Sequence, residues 1–215
     1  MLFSLNAQAQ PKGYSVTINS GISSLGDYDA GLFVYHQGKP GLLGLNYLPQ
    51  AGVSVGAYKQ LSTRPKSKFD LGLLAYYSRI ELQYQVVSSM EVREFEPFKS
   101  SSQLNFGYYG PSFRYTHKIK DSKWNYEAGL DALFLGLSGL TSPQFDSLNY
   151  IGISSLSGKP NLPRLLVMPS FGITYSMKNI DLGIHLSQSL NTFLTASTFH
   201  GKQLMYLNLG AKFRF

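Results

Sequence analysis

From residue 13 to the C-terminus one pattern governs this chain: apolar and polar residues take turns. Successive side chains of a strand point to opposite faces, so a period of two describes a strand with one apolar and one polar face. Amphipathic helix patterns are nearly absent. The last strand is the clearest. Leu207, Leu209, Ala211, Phe213 and Phe215 share one face, while Tyr206, Asn208, Gly210, Lys212 and Arg214 share the other. The seventh sets Ile180, Leu182, Ile184 and Leu186 against Asp181, Gly183, His185 and Ser187. The sixth sets Leu165, Val167, Phe171, Ile173 and Tyr175 against Ser170, Gly172 and Thr174. In the fifth, Trp124, Tyr126, Ala128, Leu130, Ala132 and Phe134 oppose Asn125, Glu127, Gly129 and Asp131. Weaker alternation over about 13–22, 50–60, 68–82 and 103–118 brings the number of strands to eight.

The connections alternate in length. Short polar turns fall at Leu61–Ser67, Ile119–Ser122 and Met177–Asn179, and long segments near 23–49, 83–102, 138–163 and 193–202. Short turns at one end and long loops at the other are the habit of outer-membrane barrels. Composition agrees. Charged residues make up 14% of the 215, against roughly 25% in a soluble domain. No run approaches the roughly 18 apolar residues of a membrane helix. A membrane-embedded chain of this kind must therefore be a barrel, the other fold that satisfies its whole backbone in lipid. The absence of cysteine excludes a disulfide scaffold, a thiol nucleophile, a thiolate zinc site and a lipidated cysteine.

The expectation is thus all-β: an eight-stranded antiparallel transmembrane β-barrel with short periplasmic turns and long extracellular loops. It would sit in the outer membrane of a didermal bacterium with both termini periplasmic. Ala7-Gln8-Ala9 has the small-x-small form of a cleavage site. Residues 1–9 read as a residual signal peptide and 10–215 as the barrel domain.

The polar faces carry the informative residues. Asp70, Glu127, Asp131 and Asp181 stand early in rising strands, and Arg114, Lys212 and Arg214 late in descending ones. In an eight-stranded barrel these positions point into a lumen just wide enough for side chains. Buried charges are tolerated only when paired, so the seven form a lumen charge network that plugs the interior. Arg114 is expected to meet Glu127 and Asp131, and Lys212 to find Asp181 as its nearest acid. A porin-sized channel is excluded.

The basic excess is local. Eleven of the 19 Lys and Arg fall at the inferred periplasmic rim: Lys12, Lys59, Arg64, Lys66, Lys68, Lys118, Lys120, Lys123, Lys178, Lys212 and Arg214. There they can meet lipid phosphates. No basic stripe interleaves with stacking aromatics, so nucleic acid is not an expected partner. The expected partners are outer-membrane lipids, the barrel assembly machinery during biogenesis and other envelope proteins.

Two hairpins and the C-terminus resemble a family. Gln50-Ala-Gly-Val-Ser-Val-Gly-Ala-Tyr-Lys59 with Phe69-Asp-Leu-Gly-Leu-Leu-Ala-Tyr-Tyr-Ser78, and Pro111-Ser-Phe-Arg-Tyr-Thr-His117 with Trp124-Asn-Tyr-Glu-Ala-Gly-Leu130, are similar to hairpins of the PorT-like outer-membrane β-barrel proteins of Bacteroidota. The ending Leu207-Asn-Leu-Gly-Ala-Lys-Phe-Arg-Phe215 resembles that family's finish. The resemblance implies a barrel from about 13 to 215, with Phe213 and Phe215 as the C-terminal signal for barrel assembly. Its motifs specify fold and location, not activity. The first long segment is more apolar than the family suggests, at Leu32-Phe-Val-Tyr35 and Leu42-Leu-Gly-Leu45, and is expected to extend the wall above the membrane.

One constellation could carry catalysis. His185 and Ser187 share a strand face, and a His-x-Ser on a barrel wall resembles outer-membrane serine hydrolases that act on lipids, with His as general base. However, Ile184 and Leu186 take the lipid face, which turns the pair inward. No acid follows Asp181, and Asp181 lies about 13 Å along the strand from His185. The pair therefore reads first as polar residues that fill the lumen. His36, His117 and His200 lack metal-ligand spacing. Glu91, Glu94 and Glu96 could bind a divalent cation or simply solvate a loop. No cofactor or metal is expected. The leading function is a non-enzymatic structural barrel or envelope-complex subunit. A lipid-modifying serine hydrolase using His185 and Ser187 is the alternative, and a small-ligand binder the third reading.

Overall fold

The computed structural model describes residues 13–25, 29–36, 39–64, 66–86, 99–120, 122–140, 162–193 and 202–215. Residues 1–9, the proposed signal segment, and the glutamates at 91, 94 and 96 lie outside them, as does His200.

Ten strand segments are described. They are β1 (Tyr14–Ser24), β2 (Asp29–His36), β3 (Lys39–Leu48), β4 (Gln50–Arg64), β5 (Ser67–Val86), β6 (Lys99–Lys118), β7 (Trp124–Leu140), β8 (Leu165–Ser176), β9 (Ile180–Gln188) and β10 (Met205–Arg214). Eight of them close a ring in the order β1-β4-β5-β6-β7-β8-β9-β10, and β10 pairs back onto β1. Every pairing in the ring is antiparallel. The remaining two, β2 and β3, make a hairpin, and β3 pairs with Leu82–Val86 and Glu81 of β5, beyond the reach of β4. The wall therefore grows taller at the end away from the termini. The apolar runs at 32–35 and 42–45 lie in this hairpin.

The strands also run further than the weaker alternation suggested. Residues 83–86, 99–102 and 138–140 belong to strands. The period of two continues through Glu81-Leu-Gln-Tyr-Gln-Val86, so the alternation itself carries β5 past residue 82. Pro111 lies in the middle of β6. It has no N–H to donate, and the β6–β7 register passes from Tyr109–Phe134 to Ser112–Asp131 without pairing 110 or 111. The ladder is interrupted where the donor is missing.

The alternation sorts by exposure. Phe171 is 68% exposed and Leu209 64%, whereas Tyr206, on the opposite face of β10, is 3% exposed. Ile18, Val55, Leu73, Tyr109, Leu130, Ile184 and Leu207 join the outward set. An apolar belt this continuous far exceeds the scattered exposed residues of a soluble protein.

Inside, the barrel has two tiers. Away from the termini the lumen is packed with Tyr76, Ile80, Leu104, Phe106, Tyr108, Leu133, Leu166, Met168, Leu204 and Tyr206, all buried. Leu162 and Phe193, which flank β8 and follow β9, reach into the same cluster. Phe193 meets Phe106 edge-on at 4.7 Å between ring centres, and Tyr76 meets Tyr206 at 4.9 Å. Hydroxyls are bonded: Tyr76 to Ser23 at 2.6 Å, and Tyr108 to the Pro163 carbonyl at 2.9 Å. This corrects the expectation of a polar filling throughout. The far half of the lumen is an apolar core, because the inward positions of β6 beyond Gly110 and of β8 beyond Ser170 are occupied by large apolar side chains.

Candidate functional site

The second tier, near the termini, gathers the charged residues of the polar faces. Arg114 of β6 donates to both carboxylate oxygens of Asp131 on β7, at 2.6 and 3.0 Å. This fork geometry is the strongest a guanidinium makes with a carboxylate. Arg114 Nε also stands 3.8 Å from Glu127, and its guanidinium lies 5.7 Å from the centre of the Tyr58 ring. The side chains of Arg114, Asp131 and Glu127 are 12%, 4% and 10% exposed.

Lys212 departs from expectation. Asp181 is its register neighbour on β9, yet its ammonium pairs with Asp70 on β5, across the lumen. Asp70 in turn stands in register with Arg114, but Arg114 is committed to Asp131. That leaves Asp70 for a cation from the far wall, and an eight-stranded lumen is narrow enough for a lysine to cross it. Asp181 instead meets Arg214, at 3.1 Å. Arg214 also donates to the carbonyls of Met177 and Lys178 at 2.6 and 3.3 Å, in the β8–β9 turn. Wall adjacency alone thus fails to assign the pairs.

Glu127 holds a contact that adjacency along a strand could not suggest. His185 Nε2 lies 3.3 Å from Glu127 Oε1, although β8 separates their strands. Glu127 is in register with Gly172, and Gly172 with His185. A Cβ at Gly172 would run into the imidazole. A missing side chain on β8 thus lets two polar groups meet across it. Gly129 serves Arg114 likewise, since a Cβ there would strike Nη1 of that arginine and Oγ of Ser170. Tyr58, which also approaches Lys212 at 6.0 Å and donates to or accepts from Ser112 at 2.9 Å, was missed as a site residue. Its phase was legible: it falls on the inward face of the strand that includes Ser54 and Gly56.

The charges nearly balance. Arg114, Lys212 and Arg214 face Asp70, Glu127, Asp131 and Asp181, and the fourth acid, Glu127, has His185 beside it. Ser187 lies on the same inward face as His185 and is buried. The cavity they share measures only about 40 Å³ and is walled by the network on one side and by Leu74, Tyr76, Leu133 and Met168 on the other. Phe213 lies in the last residues of β10 and Phe215 follows the strand, 64% exposed, with its N–H bonded to the Tyr14 carbonyl at 2.9 Å. Among the described residues no group of three His, Cys, Asp or Glu is placed to hold a metal ion.

No protein-family model and no curated protein matches the chain. Solved structures do. The outer membrane protein OprG from Pseudomonas aeruginosa superposes with a TM-score of 0.50, over 95% of this chain and 97% of that one, at 9% identity. The fold is that of an outer-membrane β-barrel. Neisserial surface protein A aligns over 94% of this chain and 97% of its own, with a TM-score of 0.48 and 10% identity. At such identity the likeness concerns the fold alone.

Proposed function

We propose that this chain is a non-enzymatic outer-membrane barrel, structural or a subunit of a larger envelope complex, with its termini in the periplasm. The observation that carries this reading is the combination of an outward apolar belt with a lumen closed along its length by two unlike tiers. A belt of exposed Leu, Ile and Phe is stable in a bilayer, not in water. A filled lumen leaves the loops, the rim and the wall as working surfaces. The PorT-like resemblance of two hairpins and the C-terminus supports the same location and belongs to this proposal. Refolded chain should be heat-modifiable on gels and should give no stable large conductance in planar bilayers. An open, steady pore would overturn the sealed-lumen part. Purification in mild detergent, with partners identified, tests the complex-subunit part.

The hydrolase alternative gains one supporting contact, Glu127 beside His185, which supplies the acid that the sequence lacked after Asp181. Against it stands the cavity of about 40 Å³ around His185 and Ser187, far below the roughly 300 Å³ of a ligand pocket. An acyl chain has no route to that serine from the outer face. Loss of phospholipid or lipid A hydrolysis in His185→Ala, from a wild type that shows it, would favour the enzyme.

A further inference from the structure

The barrel mouth at the terminal end is a concave chamber of about 280 Å³. All eight staves of the ring contribute to its lining, so it lies on the barrel axis rather than on the wall. Its basic residues are Arg64, Lys66, Lys68, Lys118 and Lys123 around the rim, with Lys212 and Arg214 at the floor. Its carboxylates are Asp70 and Asp181. Seven cations therefore face two acids, and both acids are engaged by the floor: Asp70 by Lys212 and Asp181 by Arg214. Five positive charges on the rim remain after that pairing. At the floor, Arg214 Nε is buried and finds no hydrogen-bond partner in the protein, and the Asp181 Oδ1 that stands 3.1 Å from Arg214 Nη2 accepts none either, so the attraction for an anion comes from the five rim cations. Neutral donors of Ser67, Thr116, Asn125 and Ser176 fill the gaps between the cations.

Arg64, Lys66, Lys118 and Lys123 are exposed and Lys68 is half-buried, and like charges gathered around one concave mouth repel one another and attract an anion. An anion relieves that repulsion. We propose that this chamber is a seat for a small polyvalent oxyanion of the phosphate class, which enters from the aqueous phase on the side of the termini. The volume is below that of most ligand pockets and suits a group of diphosphate size better than a folded partner. The lumen above is closed, so the chamber can hold an anion but not pass it on. Lysine and arginine both donate charge-assisted hydrogen bonds to phosphate oxygens, and these are stronger than neutral ones. Lipid phosphates are the other source of the same chemistry. They are disfavoured because the lining faces the axis, while the apolar belt faces outward.

Pyrophosphate is the probe, titrated calorimetrically into the detergent-folded full chain. Saturable one-site binding that weakens with added salt is expected. The Lys68→Gln/Lys118→Gln double variant should weaken it by about tenfold or more, the loss of two charge-assisted contacts. Lys120→Gln/Lys178→Gln removes the same net charge from residues outside the chamber lining, and should leave the affinity within about twofold if the field of the whole rim is a minor term. Lys68→Arg/Lys118→Arg should restore binding, which separates lost charge from lost folding. Micelles doped with anionic phospholipid should not displace the probe; displacement would assign the seat to lipid headgroups. Absence of saturable binding, equal weakening by the two double variants, or capture of an oligoglutamate peptide in place of pyrophosphate would each overturn the proposal.

Discussion

The two halves of the lumen fill the same kind of space with opposite chemistry. The far tier stacks Phe106, Tyr108, Phe193, Tyr76 and Tyr206 around Leu133 and Leu166. The near tier closes the barrel with Arg114, Asp131, Glu127 and the Lys212–Asp70 pair. Apolar packing is tolerant of direction and demanding of volume, since each atom contributes through contact with its neighbours. Charge pairing is the reverse: its stability depends on every partner being present, because a buried charge left alone is costly. The far tier should respond to mutation in proportion to the volume removed. The near tier should respond according to which charge is orphaned.

The largest effect is expected from Arg114→Ala. It strands Asp131, whose side chain is 4% exposed, and removes the cation next to Glu127. Breaking a buried pair from one side typically costs about 3–5 kcal/mol. Urea unfolding in lipid vesicles measures it. Arg114→Met combined with Asp131→Leu removes both charges and should recover most of the loss, as replacement of a buried pair by apolar residues often does. A double variant as unstable as Arg114→Ala would show that Arg114 is needed as the cation beside Glu127 rather than as the partner of Asp131.

Leu166→Ala probes the far tier and should cost about 2–5 kcal/mol, set by how far the cluster collapses into the space. Leu166 is fully buried and stands in register with Leu133. The two tiers differ in what rescues them. A larger apolar side chain at Leu133 should offset part of this loss, whereas no change of volume should rescue Arg114→Ala. Equal rescue in both tiers would erase the distinction.

The far tier and the near tier were also unequally legible. The outward and inward faces of β7, β8, β9 and β10 followed from alternation, because Trp124, Phe171, Ile184 and Leu209 are unambiguously apolar and their neighbours are not. The inward face of β6 was harder. Leu104, Phe106 and Tyr108 are as apolar as the outward residues Tyr109 and Phe113, so period-two contrast fades where both faces are apolar. The seven charged residues of the near tier could be found one by one from their phase. Their pairing could not. Lys212–Asp70 joins strands that are far apart in the ring, and Glu127–His185 depends on a glycine in a third strand. Both are consequences of closure, which places side chains across a lumen and is not encoded in any one stretch of chain. The basic mouth was visible as a rim of lysines, but its concavity needed all eight staves in place.

Gly172→Ala is the finest test of the comparison, because it adds one methyl group to the near tier and removes nothing. The new Cβ would meet the His185 ring and the Ile184 carbonyl. Overfilling a packed site costs typically 1–3 kcal/mol, about what a forced rotamer or a small backbone shift requires. If the imidazole is the obstacle, it must turn away from Glu127, and that carboxylate loses its second neighbour. His185→Ala in the same chain removes the ring, so the double variant should be no less stable than His185→Ala alone. If instead the Ile184 carbonyl is the obstacle, the backbone of β9 must shift whether or not a ring is present, and the two substitutions should add within about 0.5 kcal/mol. Unfolding of the four chains of this cycle under one set of conditions decides between them. Additivity would mean that Gly172 is required by the approach of two strands. Rescue would mean that it is required by the side chains meeting above it, so that this glycine is part of the charged tier although it carries no charge.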